Sequence, residues 1–344
     1  MIAKRGKIKL LYKYKKYNRR DLAKMVQKRR KISILGAGNV GATIAYTLTL
    51  SDICSEILLV DINKEKAEGE ALDLTQCRAC VPSKIIRCGE YEDVEGSDVV
   101  IVTFGVGRKP GQTRLDLAKI NLGILRRVMP NVAKIAPNAL YIIVSNPVDL
   151  MTYEALKCTG LPVNQVVGTG TLLDSNRLSE AIANYCGVAV SNVNAFVVGE
   201  HGDACMAPFS MATVCGYPVK EYCKKFLGDK EEEIDGKLKE IYAGMVAAGS
   251  KVIKAKGATF YAIAASTVQL VKAIFSDART ILPLSTKLNG EYGAKDMCFG
   301  VPCMIGGDGF EKVMEFPLSE EEEIEMKQCV EKFDATYKAL ELRK

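Results

Sequence analysis

Between residues 31 and 145 the chain alternates short runs of aliphatic residues with longer stretches of helical spacing. The apolar runs are KISIL (31–35), EILLV (56–60), KIIRC (84–88), DVVIVTF (98–104) and LYIIVS (140–145), and helical patterns cover 39–50, 64–75 and 115–135 between them. A strand that is apolar along its whole length is buried on both faces, and strands that alternate with helices pair in parallel. The alternation therefore predicts an α/β fold whose first domain, residues 31–165, is a doubly wound parallel sheet. From residue 166 the pattern changes to a strand-like NVNAFVVG (192–199), a hairpin-like CMAPFSMATVCGYPV (205–219) and one long helical pattern over 231–275. Turn-rich segments and a charged helix over 320–342 follow. These elements predict an α+β second domain over residues 166–344.

Directly after the first run comes GAGNVG, which sets Gly36, Gly38 and Gly41 in the G-x-G-x-x-G spacing at the opening of a helix. The first glycine allows the tight turn, the second lets the backbone approach a pyrophosphate, and the third lets helix and strand pack closely. The helix N-terminus then faces the phosphates. Glycine-rich turns also occur without ligands, so a second feature carries the inference. Asp61 lies twenty residues past Gly41, at the end of the second run, where a carboxylate can bind both ribose hydroxyls and would repel a 2′-phosphate. Together these predict a Rossmann-type domain that takes NAD in preference to NADP.

The 344 residues are 48% hydrophobic and 26% charged, ample for two globular domains. No apolar run approaches the roughly 18 residues of a membrane span. The formal charge of +6 is unevenly placed: residues 1–31 hold fourteen Lys or Arg against Asp21, which leaves −7 on the remainder. An acidic body argues against a nucleic-acid-binding surface. The basic leader, residues 1–30, reads as a disordered tail or as residues upstream of a start at Met25, with a short polybasic address as the alternative. Among the twelve cysteines only Cys77 and Cys80 are closely spaced, and neither a second pair nor a neighbouring histidine completes a zinc set. No metal is expected, and free thiols in a reducing cytoplasm account for the count.

For proton transfer near neutral pH the chain has one histidine, His201, in VGEHGDA between Gly199 and Gly202. A loop between glycines favours exposure to a cleft, which makes His201 the candidate proton carrier. Were the dinucleotide to deliver hydride to the carbonyl of a keto acid, the site would also need a cation for the carboxylate, a donor that polarises the carbonyl and an acid of fixed orientation. Asp174 and Arg177, three apart in TLLDSNRLSE, can share one helix face; Asp174 could orient the imidazole and Arg177 could clamp a carboxylate through paired hydrogen bonds. A capping Asp with a surface Arg fits the same spacing. The stretch FGVGRKPGQTRLDL has the composition of a lid, in which Arg114 could polarise the carbonyl and Arg108 could meet the variable end of the substrate. A solvated basic loop is the alternative there.

Taken in order, ILGAGNVG, LLVDIN, GEALDL, GRKPGQTRLDL, VSNPVD, LLDSNR, GEHGD and KGATFYAIA resemble the lactate and malate dehydrogenase family over nearly all of the chain from Lys31 onward. The resemblance implies an NAD-dependent L-2-hydroxyacid dehydrogenase with His201 paired to Asp174, a clamp at Arg177 and a polarising Arg114. It further implies that Asn146 contacts substrate and nicotinamide, that Thr259 lines the substrate pocket, and that Val40, Lys66, Tyr91, Gly105 and Val144 join the glycine turn and Asp61 in holding NAD. A homotetramer is the usual family assembly. Arg108 stands where lactate enzymes typically have Gln and malate enzymes Arg, whereas Thr259, Ile263 and LPLSTKLNGEYGAKD look like the lactate branch. The overall resemblance favours a lactate enzyme with appreciable oxaloacetate activity, a malate enzyme being the alternative. Ser179 and Asn194 replace an Arg and a His that bisphosphate-activated relatives carry, so no such activation is expected. An NAD-dependent glycosidase or a non-enzymatic NAD-binding protein is a more remote reading.

Overall fold

The computed structural model describes residues 30–107 and 111–343, so the leader before Arg30 and the lid position Arg108 lie outside the described residues. Six parallel strands run in the order β3-β2-β1-β4-β5-β6: β1 (Lys31–Leu35), β2 (Glu56–Val60), β3 (Ile85–Cys88), β4 (Val99–Val102), β5 (Leu140–Ile143) and β6 (Val166–Gly168). Crossovers carry α1 (Asn39–Thr49), α2 (Lys64–Gln76), α3 (Arg114–Ile135) and α4 (Val148–Thr159). Burial of all of β4, and of β1 and β2 beyond their first residues, is what an uninterrupted aliphatic run should give when helices cover both faces. No periodic signal marks β6, whose three residues are too few to show one. At the far end of α1, buried Lys84 donates to the carbonyls of Leu48 and Ser51, a cation at the negative end of the helix.

The second half adds α5 (Leu172–Cys186), then the two-residue strands β7 (Val193–Asn194), β8 (Val198–Gly199), β9 (Cys205–Met206), β10 (Thr213–Val214) and β11 (Tyr217–Pro218). After them come α6 (Glu231–Lys256), α7 (Tyr261–Ser276), β12 (Thr280–Asn289), β13 (Lys295–Gly306), β14 (Gly309–Val313) and α8 (Glu320–Ala339). β12 pairs antiparallel with β6 through Ser285 and Gly168, and β13, β8 and β9 follow, so one sheet continues from the first half into the second. A separate small sheet holds β7, β10 and β11.

Four expectations for this half need correction. The single helix over 231–275 is two helices, because Gly257 ends α6 at φ +84° and α7 begins only at Tyr261. The segments expected to be turn-rich contain the two longest strands described, β12 and β13; their prolines obscure them, but Pro283 faces Pro302 across the ladder, so both missing donors fall on one rung. Residues 192–199 do not form one strand, since β7 belongs to the small sheet and β8 to the large one. Of the hairpin over 205–219 only β10 and β11 pair with each other, while β9 pairs with β8.

Candidate active site

The glycine turn follows β1. Gly36 has φ +108°, and a Cβ there would lie 2.7 Å from the Phe104 nitrogen. At Gly41 a Cβ would overlap the Gly36 carbonyl oxygen and lie 2.8 Å from Thr103 Oγ1, so the close approach that requires this glycine is to the turn itself more than to the strand. Gly38 differs, because nothing lies within 4 Å of a Cβ placed on it and its φ is ordinary. It caps α1 with no side-chain hydrogen bond, and no acidic residue stands in the first turn. Free N–H groups behind an open approach suit a pyrophosphate. Asp61, at the mouth of the turn, accepts hydrogen bonds from the backbone N–H of Ala37 at 2.6 Å and of Asn63 at 2.8 Å. These features fit NAD.

Among the other expected cofactor contacts, Tyr91 is half-buried, and burial together with the Asp61 charge raises its hydroxyl pKa. Val40 packs partly buried against the core, and Val144 lines the central cavity from the end of β5. Gly105 approaches the Asn121 side chain, and Lys66 sits exposed in the first turn of α2. Asn121 is a residue that sequence reasoning missed. Its amide accepts from the Val106 N–H at 2.9 Å and donates to the Asn146 carbonyl at 2.7 Å, joining the lid's base to the VSNPVD loop. An Asn at a buried position of α3, in INLGIL, is the signal that could have found it.

A cavity of about 740 Å³ past the end of β5 is lined by Arg114, Asn146, Asp174, Arg177, His201 and Thr259. Asp174 lies in the first turn of α5, and Arg177 follows one turn later. Asp174 meets His201 Nδ1 through Oδ2 at 2.5 Å and accepts from Arg177 through Oδ1 at 3.0 Å. Both of its oxygens are therefore used, which is a tighter arrangement than a capping Asp beside a surface Arg. Burial alone would raise the Asp174 pKa, but His201 and Arg177 outweigh it and hold the carboxyl below its ordinary value. Burial would likewise lower His201, yet the charge and hydrogen bond of Asp174 raise the imidazole above its usual value.

The His201 loop leaves β8 at Gly199, which has φ +117° and where a Cβ would press on Cys205 Cα at 2.6 Å. The backbone N–H of His201 donates to Asp149 Oδ2 at 2.8 Å, and burial pushes the Asp149 carboxyl up to about 7. Burial also raises the neighbouring Glu200, partly offset by Arg114. Arg114 opens α3 and pairs doubly with Asp203, at 2.8 Å and 3.0 Å. Thr259 occupies the break between α6 and α7. Arg108 lies outside the described residues, so its place relative to these groups is not part of this geometry. Among the described residues no three His, Cys, Asp or Glu side chains converge on a metal position, and no helix is long and apolar enough to cross a membrane.

A glycine-turn dinucleotide cradle in the same fold as a His–Asp–Arg cluster points to a nicotinamide-dependent dehydrogenase. Family models for the lactate/malate dehydrogenase NAD-binding domain and for the alpha/beta C-terminal domain of the same family match residues 30–168 and 171–341. The chain belongs to the lactate/malate dehydrogenase family, NAD-dependent oxidoreductases acting on 2-hydroxy acids. It is 42% identical to L-lactate dehydrogenase 1 of Clostridium acetobutylicum over 298 residues, 86% of this chain and 94% of that one. It is 43% identical to an L-lactate dehydrogenase of Clostridium botulinum over 300 residues, 87% of this chain and 93% of that one. Among solved structures, the minor L-lactate dehydrogenase of Enterococcus mundtii superposes with a TM-score of 0.87 at 37% identity, covering 92% of this chain and all of that one. The malate dehydrogenase of Aeropyrum pernix gives 0.82 at 36% identity, covering 90% and 97%.

Proposed function

We propose that this protein interconverts L-lactate and pyruvate. The observation that carries the mechanism is the chain of contacts from Arg177 through Asp174 to His201, which leaves the imidazole's Nε2 as the nitrogen available to a ligand. The sequence relatives described above support lactate as the substrate. Bound NADH supplies the hydride. Arg177 keeps guanidinium donors beyond the one given to Asp174 and clamps the substrate carboxylate. Arg114 turns a donor to the carbonyl oxygen, and Asn146 lines the nicotinamide side of the cavity. His201, protonated, gives its Nε2 proton to the developing alkoxide, while Asp174 holds Nδ1 and stabilises the cation. In the lactate-oxidising direction neutral His201 takes that proton back.

Gly36, Gly38, Gly41 and Asp61 hold the dinucleotide in this account, and the protein works as a homotetramer in the cytoplasm. The chemistry of Arg108 supports a secondary activity, because a guanidinium at this position of the sequence offers a charged pair to the second carboxylate of oxaloacetate. Oxidation of NADH with pyruvate and with oxaloacetate tests both statements. Pyruvate is expected to be the better substrate, and Arg108→Gln should cut kcat/KM for oxaloacetate by about tenfold or more relative to pyruvate. No change in that ratio would remove Arg108 from substrate selection.

A further inference from the structure

We propose that Lys332 is a specificity-determining residue of this site, its ammonium taking the distal carboxylate of 2-keto diacids longer than oxaloacetate. The proposal rests on the dehydrogenase reading above. Lys332 belongs to α8 and lines the same cavity as His201 and Arg177. Its Nζ donates to the backbone carbonyl of Asp203 at 2.7 Å, two residues beyond the catalytic histidine.

Charge balance gives this lysine its meaning. The Asp203 carboxylate answers Arg114 twice over, and Asp174 serves both His201 and Arg177. Glu200 accepts from the Ala204 N–H at 3.2 Å. Among the described residues no carboxylate stands within ion-pairing distance of Lys332, whose recorded partner is a carbonyl. A substrate with one carboxylate satisfies Arg177 and leaves Lys332 with that carbonyl alone, whereas a second carboxylate gives it a counter-ion. The wall beside it leaves room for such an arm, since Ala335, Thr336 and Ala339 of the same helix also line the cavity. A four-carbon stem lets the ammonium follow arms of different length, as a fixed guanidinium fork would not.

The experiment compares kcat/KM for 2-oxoglutarate and 2-oxoadipate with that for the 2-keto monocarboxylic acid of equal carbon count, in the wild type, Lys332→Met and Lys332→Arg. Equal length cancels the effect of size and leaves that of charge. Lys332→Met is expected to lower the diacid-to-monoacid ratio by about fivefold for the favoured length, through KM, with Lys332→Arg retaining most of it. The effect should shrink in high salt. An unchanged ratio at every length overturns the proposal while leaving the dehydrogenase reading intact. Failure of the wild type to reduce any 2-keto acid would sink that reading, and the proposal with it.

Discussion

The cofactor half and the substrate half are built on opposite plans. In the first, the residues that shape the dinucleotide cradle, Gly36 to Asp61, come from one βαβ stretch and meet because neighbouring parallel strands end side by side. In the second, Asp174, His201, Thr259 and Lys332 come from α5, the loop after β8, the α6–α7 break and α8, and the continuous sheet with its β6–β12 and β13–β8 pairings gathers them. A local site tolerates change elsewhere in the fold, whereas a gathered site depends on long-range register.

The largest expected effect separates the two halves cleanly. His201→Asn should fold and bind NADH, yet lose about two to four orders of magnitude in kcat, as measured by NADH fluorescence titration beside steady-state turnover. Loss of NADH binding in that variant would mean the halves are not separable. The converse change, Asp61→Ala, should weaken NADH by about tenfold and narrow the preference over NADPH, with kcat at saturating cofactor nearly kept. Equal discrimination in wild type and variant would contradict the role given to Asp61.

These differences also explain what the sequence revealed. KISIL, EILLV and GAGNVG are contiguous signals, and the parallel sheet and its turn follow from them with element ends trimmed by a residue or two. In the substrate half, β12 and β13 escape notice because Pro283, Pro302 and Gly300 read as breakers, although the register pairs the prolines on one rung. His201, Asp174, Arg177 and Arg114 could be named from residue type and motif order. The contacts among them could not, since His201 and Asp174 are 27 positions apart in sequence and touch only after the sheet has closed. Asp149 and Asn121 went unrecognised for a related reason: a polar residue inside an apolar helix face shows its purpose only through its partner.

Asp149 provides the smallest expected effect and a probe of how the gathered site is held. Its carboxyl, pushed up to about 7 from an ordinary value of 3.8, keeps its proton in the folded state at a pH where the unfolded chain has lost it. The stability it contributes is therefore full below the unfolded value and fades as pH rises toward about 7. Urea midpoints at about pH 5 and about pH 8 should fall more steeply with pH in the wild type than in Asp149→Asn, whose amide does not titrate. Parallel slopes would contradict the shift.

In the proposed mechanism Asp174 raises the His201 pKa and orients the imidazole as the proton donor. The most direct test of this role is the pH profile of kcat/KM for pyruvate reduction in the wild type and Asp174→Asn. Reduction needs the imidazolium, and Asp174 raises the His201 pKa, so wild-type activity should fall on a limb lying above the ordinary imidazole range near 6.5. In Asp174→Asn that limb should move to lower pH and the plateau should drop. A limb that stays in place while only the plateau changes would contradict that role.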